Sequence, residues 1–124
     1  TREIEEAIQG HPAIAEVAVV GVADQLKGQM PMAFAVVKSV DSIATPELAA
    51  ALEKQVMKQV DDSLGAIARP SRVHFLTVLP KTRSGKLLRR SIQALAEGRD
   101  PGDLTTIEDP TALEQLQRAL GTKA

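Results

Sequence analysis

The sequence has 124 residues and a mass of 13.2 kDa, with 44% hydrophobic and 25% charged residues. That is the size and balance of one ordinary globular domain with a single core. Cysteine is absent, net charge is -1, and Phe34 and Phe75 are the only residues of the Phe, Trp and Tyr set. A disulfide framework and thiolate chemistry are thereby excluded, and neither a global pull toward polyanions nor a base-stacking surface is available, so no nucleic-acid partner is expected.

In chain order, Ile4, Ala7 and Ile8 recur at helical spacing behind Glu3, Glu5 and Glu6, predicting a first amphipathic helix that stops near Gly10. His11-Pro12 opposes further helix, and the apolar, β-branched run Val17 to Val22 predicts a buried strand. A loop is expected over Asp24 to Pro31, followed by a second buried strand over Met32 to Val37. Thr45 as N-cap and Pro46 at the first helical position start a long helix, whose Leu48, Leu52, Val56, Val60 and Leu64 step by four until Gly65. A third strand is predicted over Arg72 to Leu79, with Val73, Phe75 and Thr77 on one face and His74, Leu76 and Val78 on the other. Pro80 ends it, the polar loop Lys81 to Gly85 follows, and Leu87, Leu88, Ile92 and Leu95 predict a helix that halts at Gly98. Residues 100–110 are turn-rich, and Asp109 caps a last helix carrying Leu113, Leu116 and Leu120. This order predicts an α+β domain with a small sheet of about three strands flanked by helices. No apolar run reaches the roughly 18 residues of a membrane span, and the N-terminus does not read as a signal peptide, so a cytoplasmic protein without membrane attachment is expected.

Charge is unevenly placed. Lys81, Arg83, Lys86, Arg89 and Arg90 fall within ten residues that contain no acid, and an acidic stretch follows. The segment Pro80-Lys81-Thr82-Arg83-Ser84-Gly85-Lys86 puts a glycine beside a lysine in a strand-to-helix turn. Close backbone approach, outward helical N–H groups and a mobile ammonium all suit a phosphate or carboxylate. A nucleotide P-loop is rejected, because its required glycine and hydroxyl positions hold Pro80 and Leu87. His11 and His74 have no second ligand at metal spacing; His11-Pro12 reads as a turn, His74 as a packed, hydrogen-bonded strand residue, and no metal site is expected. Arg89 and Arg90 read as a solvated helix face, and Met30 and Met32 as core or loop filler.

The run from Pro80 through Lys86 to Arg90 resembles the C-terminal signature of the acyl-adenylate-forming enzymes, in the version of the AMP-forming short-chain acyl-CoA synthetases. Glu3-Ile4-Glu5, His11-Pro12-Ala13, Val17 to Gly21, Asp24 and Lys27-Gly28 resemble the same family's small C-terminal domain in order and spacing, so the likeness covers nearly the whole chain. The downstream run from Gly98 to Pro110 is most similar to the propionyl-specific branch, with the acetyl-specific branch next.

The resemblance implies a C-terminal lid domain over residues 1–124, with a core at 1–98 and an extension with a terminal helix at 99–124, working with a large N-terminal adenylate-binding domain in cis that is absent here. It implies a reaction in which a carboxylic acid and ATP, with magnesium, give an acyl-adenylate that coenzyme A converts to the thioester. Lys86 matches the catalytic lysine of the first step; Gly85 gives the backbone turn beside the nucleotide, and Arg83 and Ser84 shape it. The loop at Asp24 and Lys27-Gly28 resembles one that faces the partner domain in the thioester-forming pose. Asp61 departs from the family pattern, standing where an arginine often meets a CoA phosphate. The isolated chain is expected to be inactive and to bind none of ATP, CoA or magnesium stably. A second reading is a regulatory module in which Lys86 is the target of a lysine acetyltransferase and deacetylase, since acetylation removes the ammonium charge and leaves the fold intact.

Overall fold

A computed structural model describes residues 2–24, 28–65, 70, 72–100, 102 and 107–120. The elements run α1 (Arg2–Gln9), β1 (Ile14–Asp24), β2 (Gly28–Val37), a 3-10 turn (Val40–Ile43), α2 (Pro46–Leu64), β3 (Val73–Leu76), α3 (Arg89–Ala96) and α4 (Thr111–Ala119). The sheet order is β1-β2-β3, with β1 and β2 antiparallel and β2 and β3 parallel. This is the α+β architecture expected from the sequence.

Strand alternation splits the apolar residues between two faces. Val19, Ala33, Ala35, Val37 and Val73 meet Ile4 and Ile8 of α1 and Leu52, Val56 and Val60 of α2. Ala18, Val20, Phe34, Val36 and Leu76 meet Ile92 and Leu95 of α3 and Leu116 of α4. A register shift between Ile14 and Glu16 puts even-numbered Ile14 on the same face as odd-numbered Val19, and turns Glu16 away from it.

Several boundaries differ from the sequence reading. β1 and β2 are longer than Val17–Val22 and Met32–Val37, and extend toward each other as a hairpin, so much of the expected loop at Asp24 to Pro31 is ladder. Pro31 is tolerated because β2 begins pairing with β3 only at Ala33. β3 is shorter than Arg72–Leu79. The long helix starts at its predicted Thr45 cap, whose Oγ1 accepts from the Leu48 N–H at 3.2 Å, but Leu48 and Leu64 are exposed. Asp109 caps the last helix from one residue further out: its Oδ1 accepts from the Thr111 N–H at 3.0 Å, with Pro110 as the boundary residue. Among the described residues no helix is long and apolar enough to cross a membrane.

Candidate functional site

The glycine-lysine segment folds as a small hairpin. The Thr82 N–H donates to the Lys86 carbonyl at 2.8 Å, and the Gly85 N–H donates to the Thr82 carbonyl at 2.9 Å, leaving Arg83, Ser84 and Gly85 as the tip. Gly85 takes φ +89°, which any other residue would adopt only under strain, and a Cβ there would meet nothing within 4 Å. The glycine therefore serves the turn's backbone rather than relieving crowding. Thr82 Oγ1 braces the tip from inside: it accepts from the Lys86 N–H at 3.1 Å and lies 2.9 Å from Ser84 Oγ.

The expected passage from this loop straight into a helix N-terminus is corrected. Leu87 bridges back to Lys81, the Leu88 N–H donates to the Pro80 carbonyl at 3.0 Å, and α3 starts only at Arg89. The Thr82, Gly85, Lys86 and Leu88 N–H groups are engaged within the hairpin, and the start of α3 lies beyond the Gly85-Lys86 pair. The charge that the segment can offer an anion is carried by its side chains.

Those charges divide into two sets. Lys81 turns inward, its Nζ 2.8 Å from Glu16 Oε2 on β1. Arg89, expected to lie on a solvated face, instead forks onto Glu5 of α1, Nη1 to Oε2 at 2.5 Å and Nη2 to Oε1 at 3.0 Å, and Nη1 also donates to the Val19 carbonyl at 3.2 Å. Glu5 Oε2 in turn accepts the Val19 N–H at 2.8 Å. Both polar groups of Val19 on the outer edge of β1 are thus met by side chains. Partial burial would raise the Glu5 pKa, but the Arg89 hydrogen bond and charge and the Val19 N–H outweigh it and hold the carboxyl below its ordinary value. Arg89 is pushed the other way, chiefly by its hydrogen bond to Glu5.

Arg83, Lys86 and Arg90 form the second set: all are exposed, and none has an acidic partner among the described residues. Lys86 thus projects from a braced tip an ammonium that meets no acid among the described residues. What separates it from Lys81 and Arg89 is which acid each meets across the fold, a long-range pairing that carries no local sequence signal.

The remaining sequence candidates lie elsewhere in the fold. His11 closes the α1–β1 turn, its Nδ1 accepting the Ala13 N–H at 3.1 Å while Nε2 donates to Gln55 Oε1 at 3.1 Å. His74 is packed by stacking on Phe34, with ring centroids 5.3 Å apart and an interplanar angle of 22°. Met30 and Met32 are half-buried. Asp61 lies near the end of α2, its carbonyl accepting the Gly65 N–H at 2.9 Å. Residues 25–27, including Lys27, and 103–106 lie outside the described residues. No group of three His, Cys, Asp or Glu side chains that could hold a metal occurs among the described residues.

Comparison with known proteins gives this geometry a context. The family model of the AMP-binding enzyme C-terminal domain matches residues 3–86, so the matched stretch ends on Lys86. A propionate–CoA ligase of Escherichia coli K12 is 57% identical over 120 residues, which are 97% of this chain and 19% of that enzyme. An acetyl-coenzyme A synthetase of Pyrobaculum arsenaticum is 46% identical over 119 residues, covering 96% of this chain and 17% of its own length. Among solved structures, an acyl-CoA synthetase of Brucella canis aligns with a TM-score of 0.58 and 37% identity, over 69% of this chain and 15% of that one. The chain therefore spans about a fifth of the ligase it matches, 19% of its length. With a matching sequence, a matching fold and the glycine-lysine hairpin in place, the chain belongs to the AMP-binding enzyme C-terminal domain family.

Proposed function

We propose that this chain is the C-terminal domain of an AMP-forming propionate–CoA ligase and that it supplies Lys86 to the adenylation step. The observation that carries this reading is the exposed Lys86 ammonium, without an acidic partner among the described residues, on a hairpin whose neighbouring cations Lys81 and Arg89 are tied inward. The propionate reading rests on the 57% identity to a propionate–CoA ligase against 46% to an acetyl-coenzyme A synthetase.

In the first step a propionate oxygen attacks the α-phosphorus of ATP, the bond to the pyrophosphate oxygen breaks, and pyrophosphate leaves. Negative charge gathers on the phosphoryl and leaving-group oxygens, where a positioned ammonium from Lys86 lowers the barrier. In the second step the CoA thiol, losing its proton, attacks the acyl carbon, the bond to the AMP phosphate oxygen breaks, and propionyl-CoA and AMP result; in this reading Lys86 is withdrawn from the reacting centre at that stage. Gly85 keeps the tip narrow enough to enter a partner cleft. Magnesium would draw its ligands from the nucleotide and a large N-terminal domain in cis, since this domain's described residues offer no metal cluster. The setting proposed for the whole ligase is cytoplasmic.

In the ligase that carries this domain, Lys86→Ala should lower propionate-dependent exchange of pyrophosphate into ATP by about 10²- to 10³-fold, the usual loss on removing a preorganised transition-state donor. Thioester formation from supplied propionyl-adenylate should persist. Equal loss of both half-reactions overturns the assignment. The same exposure leaves Lys86 open to a lysine acetyltransferase and deacetylase, and acetylation, which cancels the charge, should reproduce the Lys86→Ala pattern.

A further inference from the structure

Outside the tip lie a cavity of about 450 Å³ lined by Arg2, Glu5, Val19, Gly21, Arg89 and Gln93, a shallow apolar groove between α2 and α4, and the ion pairs at the base of the hairpin. The cavity's cations already have acids, Arg2 with Glu6 and Arg89 with Glu5, and nothing marks an occupant for the groove.

We propose that Lys81–Glu16 and Arg89–Glu5 are positioning pairs that fix the direction in which the Lys86 tip projects. The hairpin is a short two-stranded excursion with only a few backbone hydrogen bonds, and such a ribbon has little stability of its own. Its direction must be set by what holds its base: on the outgoing arm the Glu108 N–H donating to the Lys81 carbonyl at 2.9 Å and the Ile107–Thr82 bridge, and on both arms ion pairs. Lys81 begins the outgoing arm and is tied to Glu16, the residue that the β1 register shift turns away from the first core. Arg89 follows the returning arm and is tied to Glu5 and to the Val19 carbonyl. The two ties lie five and three residues from Lys86 on opposite arms, and both end on the β1 edge or on the helix beside it. A third contact continues the line: the Ala23 N–H donates to Glu97 Oε2 at 2.8 Å, so α3 is fastened along β1 at both ends.

Bidentate geometry matters here, because a guanidinium fork on a carboxylate fixes orientation as well as distance. Edge protection of β1 is the competing explanation for Glu5 and Arg89. It accounts for their contacts to Val19 but gives Lys81–Glu16 no purpose, since that pair meets no edge backbone group. Two pairs bracketing one tip are accounted for together by holding the tip.

This inference rests on the adenylation reading for its catalytic consequence, but not for its physical test. In the 124-residue chain, hydrogen exchange at the Thr82, Gly85 and Lys86 amides reports the order of the tip directly. Arg89→Gln and Lys81→Met should each speed exchange at these amides several-fold, leaving the β2 amides of Phe34 and Val36 unchanged. Arg89→Lys, which keeps the charge and loses the fork, should restore it only in part. The charge-reversed pair Lys81→Glu with Glu16→Lys should restore protection that Lys81→Glu alone removes. In the ligase, the same variants should lower the adenylation half-reaction about ten- to a hundredfold, the scale expected for a small misplacement of a catalytic group, with thioester formation from supplied adenylate retained. Unchanged exchange at the tip in Arg89→Gln and Lys81→Met overturns the positioning role whatever the kinetics. Faster exchange with undiminished adenylation confines the pairs to a structural role and overturns it too. The Lys86 assignment is tested separately by Lys86→Ala, so failure of one is distinguishable from failure of the other. Should Arg89→Gln loosen the β2 amides as well, the partly exposed Lys81–Glu16 pair decides the matter.

Discussion

At the scale of single residues, the five cations of the 81–90 segment have three different roles. Lys81 and Arg89 are spent on internal acids, Lys86 is presented, and Arg83 and Arg90 border it as exposed charge. The glycine-lysine motif and its turn were legible in the sequence because they depend on adjacent residues. The partners were not, since Glu5 lies 84 positions from Arg89 and Glu16 lies 65 from Lys81. His74, half-buried on β3, carries a pH prediction. Burial against Phe34 disfavours its imidazolium, nearby Arg72 adds to that, and Glu53 opposes it more weakly, so its pKa falls below 6.5. The unfolded chain then takes up a proton near 6.5 that the folded chain accepts only at lower pH. The stabilisation is complete above about pH 6.5 and declines as pH falls toward the folded value. His74→Phe, which keeps a ring to stack, should flatten the decline in melting temperature between pH 7 and 5. An unchanged slope would show that the decline has another source. Glu5, whose depressed pKa acts only below its ordinary value of 4.5, does not contribute in that window.

At the scale of elements, helix α2 shows where periodicity is reliable and where it drifts. Steps of four residues advance about 400° around a helix of 3.6 residues per turn, so each step rotates the stripe by about 40°. Over the four steps from Leu48 to Leu64 the line swings through roughly 160°. Leu52, Val56 and Val60 face the sheet, while Leu48 at 46% and Leu64 at 40% exposure have turned off it. Val56→Ala should therefore cost about 2 kcal/mol from lost burial and an incompletely filled cavity, and Leu48→Ala less than about 0.5 kcal/mol. Urea denaturation of the two variants checks this, and equal costs would mean the helix packs differently. The strand ends differ from local propensity for a related reason. Gln29, Met30 and Pro31 look like a loop on local propensity, but pairing with Gly21, Val22 and Ala23 across a hairpin outweighs it. Helix α3 starts later than its apolar phase predicts, because Leu87 fits that phase but is held by the Lys81 bridge.

At the scale of the whole molecule, the sheet is covered on both faces by helices and the hairpin stands out beside its β1 edge. The two clusters give the hairpin a firm base, and α4 contributes to that base by burying Ala112 and Leu116 under the second face. The Glu108 N–H also donates to the Lys81 carbonyl at 2.9 Å, and Ile107 bridges Thr82, so the segment before α4 braces the outgoing arm of the hairpin. What such a base cannot supply is an environment for charge. A unit charge 4 Å from an ammonium in bulk water gains only about 1 kcal/mol, against the 8 kcal/mol or more that enzymatic acceleration requires. Lys86 stands exposed, so its charge gains force only when a partner surface excludes water around it and holds the reacting groups in line. The 124-residue chain alone, given propionate, ATP, magnesium and CoA, should therefore form propionyl-CoA no faster than its Lys86→Ala variant. Joined to the large N-terminal domain of a propionate–CoA ligase, it should form the product, and the Lys86→Ala fusion should form it about 10²- to 10³-fold more slowly. Turnover by the isolated chain that depends on Lys86, followed by appearance of the thioester, would show that the domain carries a complete site of its own.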